Sequence, residues 1–143
     1  MDDQEKLIGY TTGVFDLFHV GHVRLLKKAR ALCDYLIVGV TTDEATLYKN
    51  KTPVIPFAER CEVVESIEYV DCVVPQNNHN KLDARERYKF DVMFVGDDWY
   101  QNQKWEFYEQ ELKKLNVKII YFPYTEGTSS TLINDTLSKL RKS

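Results

Sequence analysis

The sequence predicts a single α/β domain, residues 1–143, built on a doubly wound, Rossmann-like parallel sheet of five strands. Three observations predict it. Short β-branched runs alternate with amphipathic stretches along the chain, a pattern that gives parallel strands joined by crossover helices. The 143 residues suit one core of ordinary size. No internal repeat, low-complexity tract or linker interrupts the pattern.

The elements follow in order. KLIGYTTG, residues 6–13, reads as the first strand, and GHVRLLKKARALC, residues 21–33, as a helix with Val23, Leu25, Leu26, Ala29 and Leu32 on one face. YLIVGVT is a buried second strand. A short helix follows, with Thr42 as N-cap and Asp43 and Glu44 in its first turn. The loop NKTPVIP ends at Pro56, expected as the first residue of the helix PFAERCEVVESIEY. VDCVVP is a third strand, NKLDARERYK a helix and FDVMFVG a fourth strand. KWEFYEQELKKLN is helical and closed by Asn116. VKIIYFP is the fifth strand, and SSTLINDTLSKLRK ends the chain as a helix.

Composition excludes several classes. Hydrophobic residues make up 43% and charged residues 29%, as in soluble globular proteins. A formal net charge of −3 without a basic stripe argues against nucleic acid as partner. The three cysteines, Cys33, Cys61 and Cys72, match no zinc or disulfide spacing and read as reduced, mostly buried thiols of a cytoplasmic protein. The acidic start MDDQEKLIGY reads as neither a signal peptide nor a membrane span, so no membrane insertion is expected.

Ligands of doubly wound sheets bind beyond the carboxyl ends of the strands. Small, hydroxylic, acidic and imidazole groups collect at four of the five predicted ends. The first strand runs into Thr12, Gly13, Val14, Phe15 and Asp16, and on to His19 and His22. The second ends near Asp43. The fourth ends in Gly96, Asp97 and Trp99, and the fifth leads into Thr125, Gly127, Ser129, Ser130 and Thr131. Gly21 and His22 fall at a helix start, where unpaired N–H groups and the macrodipole attract anions. That field disfavours imidazolium, so these histidines are expected to be neutral until a phosphate arrives. Gly13 and Gly21 let backbone approach a phosphate.

Rival readings attach to each group. The histidines also suit a helix cap and a core position. A zinc site lacks the i, i+4 spacing and glutamate of common zinc helices, and no metal-ligating residue is assigned. The serines and threonines after the fifth strand suit an ordinary N-cap as well as a second anion cradle. Lys49, Lys51 and Arg60 suit either solvated surface or closure over phosphates. Neither a P-loop nor a dinucleotide glycine pattern occurs.

GVFDLFHVGH, residues 13–22, resembles the nucleotidylyltransferase signature Gly-x-Phe-Asp-x-x-His-x-Gly-His, and TEGTSST, residues 125–131, is similar to the second signature of that superfamily. TTDE, YKNK, EYVDCVVP and VGDDW fall in the matching order. The nearest likeness is to the bacterial glycerol-3-phosphate cytidylyltransferases, small homodimers making CDP-glycerol for teichoic acid or capsule. The resemblance implies CTP and a small phosphorylated acceptor as partners, with Mg²⁺ accompanying the triphosphate. It implies catalytic roles for His19, His22, Lys49 and Thr131, and acceptor contacts for Lys49, Lys51 and Arg60. Thr12 to Asp16, Asp43, Gly96, Asp97, Trp99, Thr125, Gly127 and Ser129 to Thr131 are implied at the nucleotide. The chain departs from the pattern at Val14, Glu68 and Tyr124, where threonine and two arginines are usual. Glu68 is also similar to heptose-phosphate adenylyltransferases, which keeps ATP and sugar phosphates as an alternative. Other acceptors, and a nucleotide sensor without turnover, are the remaining readings.

Overall fold

The computed structural model describes residues 6–47, 52–96 and 103–122. The elements run β1 (Ile8–Gly13), α1 (Val20–Ala31), β2 (Tyr35–Thr41), α2 (Asp43–Leu47), α3 (Phe57–Glu65), β3 (Cys72–Gln76), α4 (Lys81–Tyr88), β4 (Val92–Gly96), α5 (Gln103–Lys114) and β5 (Lys118–Phe122). The five strands are all parallel, in the order β3-β2-β1-β4-β5. The chain thus builds outward from β1 on one side, then returns to its other side, and β1/β4 is the switch point that defines a binding crevice.

Each face of the sheet has its own core. Leu26 and Ala29 of α1 and Val64 of α3 pack on Val38, Val40 and Phe94. On the other face, Leu82 of α4 and Trp105 and Leu112 of α5 pack on Tyr10, Ile37, Met93 and Val95. Alternate residues of β2, β4 and β5 feed the two cores, which is why those strands read as apolar runs, while β1 gives Ile8 and Tyr10 to one core only.

The predicted element types hold throughout the described residues, and the differences lie at their ends. Pro56 is the N-cap of α3 rather than its first helical residue, because its ψ of 152° is extended. Thr42 caps α2 by accepting from Ala45 N at 3.2 Å. Asn116 is left-handed at φ 64°, and the bonds Asn116 N to Lys113 O and Val117 N to Leu112 O form a Schellman closure of α5. The expected last helix, residues 129–142, lies outside the described residues.

A regularity at the amino edge of the sheet escaped the sequence reading. Asp34, Asp71 and Asp91 each stand one residue before a strand. Their carboxylates accept from Leu7 N (2.8 Å), Leu36 N (2.8 Å) and Ile8 N (3.0 Å), at the starts of neighbouring strands. Aspartate stitches the edge that faces away from the switch point.

Candidate active site

The site begins where β1 ends. Beyond Gly13 the chain turns through Phe15 and Leu17, both at positive φ (56° and 50°). That region is costly for bulky side chains, so neighbours must hold it. Phe15 is buried, and its ring lies 3.0 Å from where a Cβ on Gly13 would stand. The missing side chain of Gly13 therefore makes room for Phe15. The ring also meets His22 edge-on, with centroids 5.4 Å apart.

Asp16, also buried, accepts from Val54 N (2.8 Å) and Ile55 N (2.9 Å) with separate carboxylate oxygens. It ties the turn to the segment before α3. Arg60, 1% exposed, completes the tie. Its guanidinium donates to Ile55 O (2.8 Å), Val14 O (2.8 Å), Thr41 O (2.7 Å) and the Asp43 carboxylate (2.6 Å). Asp43 also accepts from Phe57 N at 3.2 Å. Four of the five N–H donors of Arg60 are thereby committed to scaffold, so an acceptor contact would rest on the one that remains.

The two histidines cap α1 reciprocally. His19 is the N-cap, and its Nδ1 accepts from Gly21 N at 3.0 Å; His22 sits at N3, and its Nδ1 accepts from His19 N at 3.1 Å. This is a capping box built from imidazoles, with the two rings 4.0 Å apart. Each Nδ1 must be unprotonated to accept. A neutral ring then carries its proton on Nε2, the one ring donor left to it. Burial lowers the pKa of His19. For His22, burial first and the charge of His19 second lower it to about 4, against a smaller opposing effect of Asp16. Both rings are therefore neutral near pH 7, as expected, although the cause is desolvation.

The structure corrects one expectation. Gly21 N–H is not open to an anion, because the His19 ring occupies it. The helix start presents ring N–H groups in place of that backbone donor.

The remaining predicted residues divide. Thr12, Gly13 and Gly96 stand at the carboxyl ends of β1 and β4. Lys49, Lys51, Asp97, Trp99, Thr125, Gly127, Ser129, Ser130 and Thr131, with Tyr124, lie outside the described residues. Among the described residues no group of three or more His, Cys, Asp or Glu could hold a metal ion. The carboxylates of Asp16 and Asp43 both accept protein N–H groups, so the described part forms no protein cage for Mg²⁺. The thiols of Cys33 and Cys61 are pushed up by burial and are poor nucleophiles. Sequence reasoning missed the scaffold role of Arg60. The helix-cap reading of the histidines holds for His19, and the reciprocal bond from His22 that completes the box went unread, although the His-x-x-His spacing equals that of an N-cap and its N3 partner.

Residues 10–136 match the family model described as cytidylyltransferase-like. The glycerol-3-phosphate cytidylyltransferase of Bacillus subtilis is 38% identical over 138 residues, covering 95% of this chain and 99% of the relative. The FAD synthase of Pyrococcus horikoshii is 39% identical over 128 residues, covering 87% and 85%. The solved structure of a lipopolysaccharide core biosynthesis protein from Thermoplasma volcanium superposes with a TM-score of 0.72 at 22% identity, covering 87% of this chain and all of the other. That last likeness concerns the fold alone.

Proposed function

The chain belongs to the cytidylyltransferase-like family, and on that premise we propose that it transfers CMP from CTP to a small phosphomonoester, glycerol 3-phosphate first among them. The products are CDP-glycerol and pyrophosphate, destined for teichoic acid or capsule. The observation that carries this reading is the imidazole capping box at the end of β1, next to the sheet's switch point. Relatives named glycerol-3-phosphate cytidylyltransferase that align along nearly the whole chain support the choice of substrates.

The chemistry asks for placement and charge. A phosphomonoester has a second pKa of about 6, so at neutral pH it is largely a dianion and already a nucleophile. One of its oxygens attacks the α-phosphorus of CTP in line. The bond to the bridging oxygen breaks, and pyrophosphate leaves with the electron pair. Two anions must be held together against their repulsion, and charge on the equatorial and leaving oxygens must be stabilised. The Nε2–H groups of His19 and His22 donate to phosphate oxygens while each Nδ1 keeps its place in the capping box. Lys49 and Lys51 supply positive charge to the acceptor phosphate. Thr125 and Ser129 to Thr131 hold the nucleotide. Asp16, Asp43 and Arg60 fix the segment before α3 against the histidine turn. No carboxylate cluster among the described residues would hold Mg²⁺; bound with the triphosphate, it would offset that charge. The functional unit is a homodimer acting in the cytoplasm. Among the described residues no helix is long and apolar enough to cross a membrane.

A relative named FAD synthase favours a second reading, adenylyl transfer from ATP. Pyrophosphate release separates the two. The purified chain is offered CTP or ATP with glycerol 3-phosphate, FMN or a heptose phosphate, and the product is weighed. CTP with glycerol 3-phosphate is expected to give CDP-glycerol. Release with ATP alone would replace this reading by the second, and release with neither would remove transfer itself.

A further inference from the structure

β5 is pinned on both faces at the point where it ends. Phe122 stacks on Phe94, centroids 5.5 Å apart and rings 10° from parallel, in the core under α1 and α3. One residue earlier, Tyr121 faces the opposite core. There its hydroxyl accepts from Trp105 Nε1 at 2.7 Å and donates to Glu109 Oε2 at 2.6 Å. Trp105 is buried in the first turn of α5, and Glu109 lies one turn further on.

The buried side chains around this trio are Tyr10, Ile37, Phe90, Met93, Val95, Leu112 and Val117, and a phenylalanine at 121 would fill the same place without the two hydrogen bonds. Apolar packing tolerates sliding, whereas two short hydrogen bonds fix both distance and angle. The position they fix is informative. Tyr121 is the register partner of Val95 and Phe122 that of Gly96. The trio therefore fixes the end of β5 beside the end of β4, the points from which the sequence runs on to Asp97 and Trp99 and to Thr125 to Thr131. It also joins both to the start of α5.

We propose that the Tyr121 hydroxyl, held between Trp105 and Glu109, is a positioning group for nucleotide binding: it fixes the paired exits of β4 and β5 from which the nucleotide-contacting stretches depart. The inference rests on the reading that those stretches hold the nucleotide. Burial and Glu109 push the Tyr121 phenol up to about 12, so the hydroxyl stays a donor throughout the working pH range.

The test is steady-state kinetics with CTP and glycerol 3-phosphate on wild type, Tyr121→Phe, Glu109→Gln and Glu109→Ala. Tyr121→Phe keeps the ring and is expected to melt within about 4 °C of wild type. Its KM for CTP is expected to rise about 5–10-fold, with kcat and the KM for glycerol 3-phosphate within about twofold, because orientation is lost and the reacting groups are not. Glu109→Gln keeps an acceptor oxygen and is expected to restore near wild-type KM, while Glu109→Ala follows Tyr121→Phe. A purely structural trio would lower the melting temperature and leave the KM for CTP unchanged. If folded Tyr121→Phe and Glu109→Ala both show wild-type KM for CTP, the inference is wrong and the proposed function stands. If wild type releases no pyrophosphate from any nucleotide, the functional reading fails, and this inference with it.

Discussion

The two histidines do double duty as cap and as donors, and the first role constrains the second. Each ring gives its Nδ1 to a backbone N–H of the turn it helps to form, leaving only Nε2–H to face a ligand. His22→Ala removes one donor and one arm of the capping box. We expect kcat to fall roughly 10²-fold or more, as when a positioned transition-state donor is lost, while CTP still binds; pre-steady-state pyrophosphate release measures it. The same residue makes a prediction about pH. Its folded pKa, about 4, lies below the ordinary value of 6.5. Between those values the unfolded chain binds the extra proton, so stability rises with pH across that window. The contribution is present in full above about pH 6.5 and is lost as pH falls toward about 4. Urea midpoints at pH 7.0 and 4.5 are expected to show this loss, and His22→Gln is expected to flatten it.

At the scale of elements, one buried cation organises four pieces of chain. Arg60 joins the histidine turn, the end of β2, the start of α2 and the segment before α3. Arg60→Met leaves the carbonyls of Val14, Thr41 and Ile55 without these donors and Asp43 without its partner. The expected cost is about 2–3 kcal/mol in urea unfolding, chiefly from carbonyls left without a donor, since the Asp43 carboxylate is half exposed. Arg60→Lys should recover little, because a single ammonium cannot span the fork. A second test concerns β1 against β2. A Cβ on Gly39 would lie 2.8 Å from the Tyr10 hydroxyl and 3.0 Å from Thr12 Cγ2. The Tyr10 ring cannot easily retreat, since it is stacked between Phe90 at 4.6 Å and Tyr88 at 5.6 Å. Gly39→Ala is expected to destabilise by about 1–3 kcal/mol, and adding Tyr10→Phe should return part of it; thermal melts of the pair and the single variants decide. These elements also show how far sequence carries. β2 was legible to the residue because Tyr35–Thr41 is an apolar run between a loop and a cap. Pro56 was misplaced by one position, since fixed φ suits both N-cap and first turn and only ψ separates them. Arg60 was legible only as a cation, solvated or at the acceptor, and not as a clamp, because its four partners come from positions 14, 41, 43 and 55, which nothing local in the sequence joins.

The whole molecule divides its two sheet edges between two tasks. At the amino edge, aspartates before β2, β3 and β4 bind the strand starts together. At the carboxyl edge, the first strand opens into a strained turn held by Phe15, Asp16 and Arg60 and delivers two neutral imidazoles beside the switch point. The alternation of strands and helices made that edge identifiable from sequence, because the hydroxyl, acidic and imidazole residues cluster where strands end. The protonation state of the site is a property of the assembled molecule: burial sets it. The central claim is that both rings meet the nucleotide as neutral Nε2–H donors, and long-range ¹H–¹⁵N NMR of the histidine side chains during a CTP titration at pH 7 tests it most directly. The account predicts that His19 and His22 begin as the Nε2–H tautomer and that both Nε2 signals move as CTP binds. Saturable CTP binding that shifts other resonances and leaves both Nε2 signals unmoved would contradict it.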